Sequence, residues 1–287
     1  MKKSNPKAPR RRRWPFALLA AALLCGGLWA DSRWRLVTTE YESSSPRLPA
    51  AFDGFRVVQL SDLHGYEYGP DNARLVERVA ACDPDLIVLT GDFIDSAGEI
   101  PVTEALARAL TALAPVYFVS GNHDWGSGAA AALEEAMDRA GAIWLHNETV
   151  ALEREGAHIL LAGVEDPNSW AVMPTPEDVV AQARSQGPED YILLLGHRND
   201  WVKKYPDLDV DLILSGHAHG GIIRLPFLGG LLGTEHNFLP EYDKGLFHSG
   251  SYDMILSAGL GDSFLNGAVS ARFLNNPEVV CVTLRTA

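Results

Sequence analysis

The sequence predicts an α/β domain, with sheet inside and helices outside, preceded by an N-terminal transmembrane helix. Three observations carry this reading. Short apolar runs recur through the chain and alternate with amphipathic helical stripes. An uncharged stretch, residues 14–30, follows a cluster of basic residues. Hydrophobic residues make up 47% of the 287, enough to bury a large core.

Residues 1–13 hold Lys2, Lys3, Lys7, Arg10, Arg11, Arg12 and Arg13 and no acid, and are expected to stay in the cytoplasm as a basic tail. Residues 14–30 (WPFALLAAALLCGGLWA) lie at the short end of what spans a bilayer. They read as a single-pass anchor in the cell membrane, with the N-terminus cytoplasmic and the body extracytoplasmic. Export after signal cleavage is the alternative, but Leu28-Trp29-Ala30 puts a bulky Leu where a small residue is wanted. Residues 31–51, with Ser43-Ser44-Ser45-Pro46 and Pro49, read as a linker. The body, 52–287, reads as one domain.

Within the body the apolar runs are Phe55–Leu60, Leu86–Leu89, Val116–Val119, His158–Val164, Tyr191–Leu195, Leu212–Leu214, Tyr252–Ser257 and Val279–Leu284. Their length and branched or Leu-rich content suit strands buried on both faces. Helical stripes lie between them: Leu75, Val76, Val79 and Ala80; Leu106, Leu110 and Leu113; Leu133, Ala136, Met137 and Ala140. Thr175-Pro176-Glu177-Asp178 reads as a helix start, with Thr at the cap and Pro at the first position.

Charge narrows the function. Net charge is −13, but beyond residue 13 the chain carries 17 basic and 37 acidic residues, a net of −20. Such a body is a poor binder of nucleic acid, and phosphate chemistry on it needs bound metal for positive charge. The cysteines, Cys25, Cys82 and Cys281, form no CxxC, so no zinc ribbon or disulfide scaffold is indicated; Cys82 and Cys281 could pair in an exported domain but read first as two buried thiols.

The chemistry sits where strands end. Leu60 is followed by Ser61-Asp62-Leu63-His64, Leu89 by Thr90-Gly91-Asp92, and Val119 by Ser120-Gly121-Asn122-His123-Asp124. Leu195 is followed by Gly196-His197, and Leu214 by Ser215-Gly216-His217-Ala218-His219. A lone His after a strand, or a lone Gly-Asp, is ordinarily a surface residue or a turn. Five such endings in order are specific, and strand ends are where open α/β sheets bind ligands. The donor set suits Mn, Fe or Zn. Seven ligands suit two ions sharing a carboxylate, with a bridging hydroxide as nucleophile. His146, His158, His236 and His248 fall outside the set and read as structural or surface residues.

These motifs, across residues 60–221, resemble the calcineurin-like metallophosphoesterase family, and Gly220-Gly221-Ile222-Ile223-Arg224-Leu225-Pro226 resembles its bacterial branch of membrane-bound or exported phosphodiesterases. The resemblance implies two packed mixed β-sheets flanked by helices. It implies one divalent ion on Asp62, His64 and His219, a second on Asn122, His197 and His217, and Asp92 bridging them, with Mn favoured. His123 would protonate the leaving group, and Asp95 would orient His123. The implied activity is metal-dependent hydrolysis of a phosphodiester or pyrophosphate bond in a small or lipid-linked substrate, with no obligate protein partner. UDP-2,3-diacylglucosamine pyrophosphate hydrolysis is an alternative, and a non-enzymatic protein-binding scaffold a second. Two positions depart from the family pattern: Ser96 stands where many members have an Arg, and Asp124 where many have Glu. Arg198 and Arg224 are the candidates to grip phosphate instead. Glu165-Asp166, in a loop after a strand, could lie near the site but reads first as a solvated acidic pair.

Overall fold

The computed structural model describes residues 14–169, 173–234, 237–261, 264–265, 269–270 and 272–287. Helix α1 (Trp14–Trp34) is long and apolar enough to cross a membrane. It leads into β1 (Val37–Ser45), β2 (Arg56–Leu60), α2 (Ala73–Ala80), β3 (Leu86–Thr90), α3 (Ile100–Thr111), β4 (Val116–Val119), α4 (Asn122–Gly126), α5 (Ala130–Ala140) and β5 (Ile143–Trp144). Then come β6 (Thr149–Arg154), β7 (Ala157–Gly163), α6 (Pro176–Gln186), β8 (Ile192–Leu195), α7 (Trp201–Lys204) and β9 (Leu212–Ser215). Last are β10 (Arg224–Leu225), β11 (Gly229–Gly230), β12 (Gly245–His248), β13 (Asp253–Leu256), β14 (Phe264–Leu265), β15 (Val269–Ser270) and β16 (Glu278–Thr286).

Two six-stranded sheets form, in the orders β1-β16-β2-β3-β4-β5 and β12-β13-β9-β8-β7-β6. Strand side chains alternate between two buried faces, which is why the sequence shows continuous apolar runs. Val57, Leu86 and Val88 point at Leu193, Leu214 and Ile255 of the other sheet, making the inner core. Val58, Ile87 and Leu89 point the other way, onto Leu75, Leu106, Leu110 and Leu133 of the helices α2, α3 and α5. Leu160, Leu194 and Ile213 of the second sheet pack on Val179, Val180 and Ala183 of α6. The layers are therefore helix, sheet, sheet, helix. Helix α6 starts as expected: Asp178 N–H donates to Thr175 Oγ1 (3.2 Å) and Thr175 N–H to Asp178 Oδ2 (2.9 Å). Cys82 and Cys281 are buried free thiols.

One boundary needs correction. The segment 31–51, expected as a linker, contains the last turn of α1 and all of β1, which pairs in parallel with β16 from Val37↔Glu278 to Ser45↔Thr286. Its sequence, VTTEYESSS, has no apolar run because β1 is an edge strand, with Glu40 and Glu42 exposed to water. Removing residues 1–34 should leave the body folded. Removing 1–45 should deprive β16 of its parallel partner and lower the melting temperature by roughly 10 °C or more, read by circular dichroism.

Candidate functional site

Strands β2, β3 and β4 run parallel in the first sheet and end level, with Leu60 opposite Leu89 and Thr90 opposite Val119. Strands β8 and β9 do the same in the second sheet, Leu195 opposite Leu214. The two sheets are fastened where these ends meet. Gln59 Nε2 donates to Ser215 O (2.8 Å) and to Thr90 Oγ1 (2.9 Å), and His197 Nδ1 lies 2.8 Å from Thr90 O. All five motif loops therefore open on one edge.

Backbone geometry there is unusual. Asp62, His64, Asp92, His217 and His219 all have positive φ, a region side chains rarely occupy. Such strain persists only where the surroundings impose it, and it clusters at functional sites. Here the loops hold one another: Asp62 N–H donates to Gly91 O (2.9 Å), His64 N–H to Asp92 O (3.0 Å), and His217 N–H to Asp62 Oδ1 (3.0 Å). Two glycines permit the close approach. A Cβ on Gly121 would overlap the Asp92 carboxylate, and one on Gly216 would overlap Ser61 and Asp62.

The side chains assemble into three touching groups: Asp62, His64 and His219; Asp92, His197 and His217; and His64, Asp95 and His123. His64 Nε2 lies 3.1 Å from His219 Nε2, and His197 Nε2 lies 3.2 Å from His217 Nδ1. Two nitrogens bound to one tetrahedral ion at about 2.0–2.1 Å would stand roughly 3.3 Å apart. Asp92 Oδ2 sits between the groups, 3.1 Å from His197 Nε2 and 3.9 Å from His64 Nε2. Asn122 Oδ1 is buried without a hydrogen-bond partner, an acceptor a cation would satisfy. Burial holds the His217 and His219 rings well below the usual imidazole range, so they are neutral and carry a lone pair. Burial disfavours the Asp92 anion, but the adjoining His197 outweighs it and keeps the carboxyl well below its usual range. Burial opposes charge on His64 and His197 as well, but Asp95 and Asp92 raise them to about 9 and about 10; a bound cation would replace those protons, and carboxylates beside imidazoles are a donor set that fits divalent ions.

Asp95 does more than expected. Its Oδ1 lies 2.7 Å from His123 Nδ1 and 2.8 Å from His64 Nδ1, so one carboxylate orients both rings. The hydrogen bond to Asp95, against partial burial, raises the His123 pKa. The His123 side chain is half exposed, at the mouth of the site.

The acids Glu165 and Asp166 are not solvated. Both are buried, because the loop after β7 folds under β4 and α4. Glu165 accepts from Ser120 Oγ and from Trp144 Nε1 (2.6 Å), and lies 2.7 Å from His146 Nδ1. Asp166 binds Arg198 through both oxygens (2.6 and 3.1 Å) and so holds Arg198 Nη1 3.3 Å from His217 Nε2. Of the two candidate cations, Arg198 thus stands at the site, whereas Arg224 is held by Asp243 (2.9 Å) and Gly220 O (2.8 Å).

Three other residues support the site in ways the sequence did not assign. Asp124 accepts four backbone N–H bonds, from Asp92, Phe93, Ile94 and Gly121 (2.8–3.0 Å), locking the β3 and β4 loops together. Buried Arg272 lies 3.5 Å from His219 Nδ1 and donates to Ala258 O, and Asn275 donates to His219 O (2.7 Å). His146, His158 and His248 lie against Glu165, Asp190 and Asp253, none of them a motif acid, while His236 lies outside the described residues. Beside His197 opens a cavity of about 240 Å³, bounded by Val164, Asp166, Met173, Arg198, Trp201 and Tyr205.

Residues 55–221 match the family model described as calcineurin-like phosphoesterase. The chain is 32% identical to the uncharacterized metallophosphoesterase YkuE of Bacillus subtilis, over 94% of each chain. It is 27% identical to the phosphodiesterase YaeI of Escherichia coli, over 80% of this chain and 82% of that one. It is 24% identical to the UDP-2,3-diacylglucosamine pyrophosphatase LpxG of Chlamydia trachomatis, over 85% and 88%. A match over more than half the chain and a relative nearly coextensive with it place this protein in the calcineurin-like phosphoesterase family, as a hydrolase of phosphoric ester bonds.

Proposed function

We propose that this chain hydrolyses a phosphodiester or pyrophosphate bond of a small or lipid-linked substrate at the membrane, using two divalent ions, Mn favoured over Fe and Zn. Asp62, His64 and His219 would hold one ion, Asn122, His197 and His217 the other, and Asp92 both. The observation that carries this is the meeting of two His–carboxylate groups on Asp92 Oδ2, with Asn122 Oδ1 orphaned in the loop whose backbone packs on Asp92. When bound, the ions supply positive charge and an acidified water.

The chain's own residues do the rest. His123, protonated through its Asp95 partner, gives a proton from Nε2 to the departing alkoxide. Arg198, steadied by Asp166, faces the phosphoryl group where many relatives use the Arg that Ser96 replaces. The cavity beside Arg198 receives an apolar part of the substrate. The basic tail and α1 favour a single-pass anchor with the body outside the cytoplasm. Resemblance to LpxG favours a second reading, UDP-2,3-diacylglucosamine cleavage, although an outward-facing body would meet little of a nucleotide sugar. The filled ligand set disfavours a protein-binding scaffold.

The test is turnover by the full-length protein in detergent, stripped of metal and reloaded with Mn²⁺, on a chromogenic phosphodiester and its monoester. Metal-dependent diester hydrolysis is expected; two bound metals with no turnover of either ester would sink the reading. His123→Asn should slow an alkyl leaving group by about 10²–10⁴ while barely slowing p-nitrophenolate, which leaves without a proton. Equal losses on both esters would remove His123 from the acid role.

A further inference from the structure

Outside α1, the exposed large apolar side chains among the described residues are Leu113, Ile143, Phe227, Leu228, Phe238 and Leu239. Four of the six therefore fall within thirteen residues of a chain whose body is strongly acidic. They are grouped by pairing. Phe227 and Leu228 form the tip of the β10–β11 hairpin, and Phe238 and Leu239 lie beside its outgoing arm, where Leu232 bridges Phe238 and Leu239 N–H donates to Leu231 O (2.9 Å). Phe227 is fully exposed at positive φ, so a turn position that suits Gly or Asn is given to a phenyl ring facing water.

What faces this patch follows from what anchors it. Ile223 bridges Phe273, Arg224 N–H donates to Phe273 O (2.9 Å), and Asn275 Nδ2 donates to both Ile222 O (3.0 Å) and His219 O (2.7 Å). The next residues hold the end of α1. Asn276 Nδ2 donates to Asp31 O (2.8 Å), Arg35 donates to Asn276 Oδ1 (3.2 Å), and Val37 N–H donates to Pro277 O (3.0 Å). Five consecutive residues thus tie the hairpin and His219 to the last turn of the membrane-length helix, where half-exposed Trp34 sits like an interfacial aromatic. The apolar phase nearest to that edge is the bilayer holding α1.

We propose that Phe227, Leu228, Phe238 and Leu239 enter the interfacial layer of the membrane that anchors α1, forming a second contact that sets the mouth of the metal site against the lipid surface. The proposal rests on the anchored reading above. It gives that reading a substrate route: a phosphoester carried on a lipid would reach the site laterally, without leaving the bilayer.

The test uses the full-length chain with Cys25→Ser, reconstituted in phosphatidylcholine–phosphatidylglycerol vesicles. An environment-sensitive fluorophore is attached at Phe227→Cys, Phe238→Cys or, as reference, Ile143→Cys. Nitroxide-labelled lipids should quench the first two and not the third. Equal, weak quenching at all three in protein that floats with the vesicles would overturn the proposal, as would failure of the protein to float. This readout needs no turnover, so it stands or falls apart from the assigned activity. A quadruple Ser variant should hydrolyse ethyl p-nitrophenyl phosphate within about twofold of wild type. On vesicle-borne hexadecyl p-nitrophenyl phosphate it should lose about tenfold. Equal turnover of the long-chain ester by both proteins would also overturn the contact.

Discussion

Asp92→Asn is expected to cut metal-dependent turnover by about 10³ or more, a larger loss than removing a single transition-state donor causes. The carboxylate is buried, and its Oδ2 faces His197 on one side and His64 on the other. An amide of the same shape removes the charge on which both groups converge. The fold should lose something too: neighbouring Asp62 and Asp124 are relieved of a like charge, but His197, which keeps the Asp92 carboxyl well below its usual range, loses its anionic partner. Calorimetry separates the two effects. Metal at a hundredfold excess over its dissociation constant stabilises the wild type by about 2.7 kcal/mol. The variant should melt somewhat below the metal-free wild type and show little of that gain. A full metal-induced rise in the variant would remove Asp92 from the bridge.

Asp124→Asn should act in the opposite way, through the fold. Four backbone donors converge on this carboxylate, two on each oxygen. An asparagine keeps one acceptor and turns an NH₂ towards the other two donors. Each orphaned buried donor costs roughly 1–3 kcal/mol, a large share of the 5–15 kcal/mol typical of a domain. A melting temperature lower by about 10 °C, with or without metal, is the expected result. Turnover should fall as well, because the Asp92 and Gly121 amides lose their common tether. An unchanged melting curve would show that water or loop movement satisfies those donors instead.

The layers of the fold were legible because strands buried on both faces must read as unbroken apolar runs, and the site because each run ends in a residue able to hold a metal. Asp62, His64, Asp92, His197, His217 and His219 do lie together. Where pattern gave no guide, burial was decided by tertiary packing. Glu165 and Asp166 look like any surface acids until Trp144, His146 and Arg198 are seen closing over them. Strand β1 was hidden because an edge strand with one wet side needs no apolar run. Arg272 and Asn275 reach His219 from a segment more than fifty residues away in the chain, and neither belongs to any motif.

The place of β16 has a consequence for how the molecule is made. It lies between β1 and β2, so the first sheet has a gap until β16 arrives. Val37 must wait for Glu278. A ribosome therefore releases α1 early and the strand that completes the sheet last, and pairings so distant in the chain form slowly. The first sheet therefore stays incomplete, with β1 and β2 unjoined, until β16 has been made.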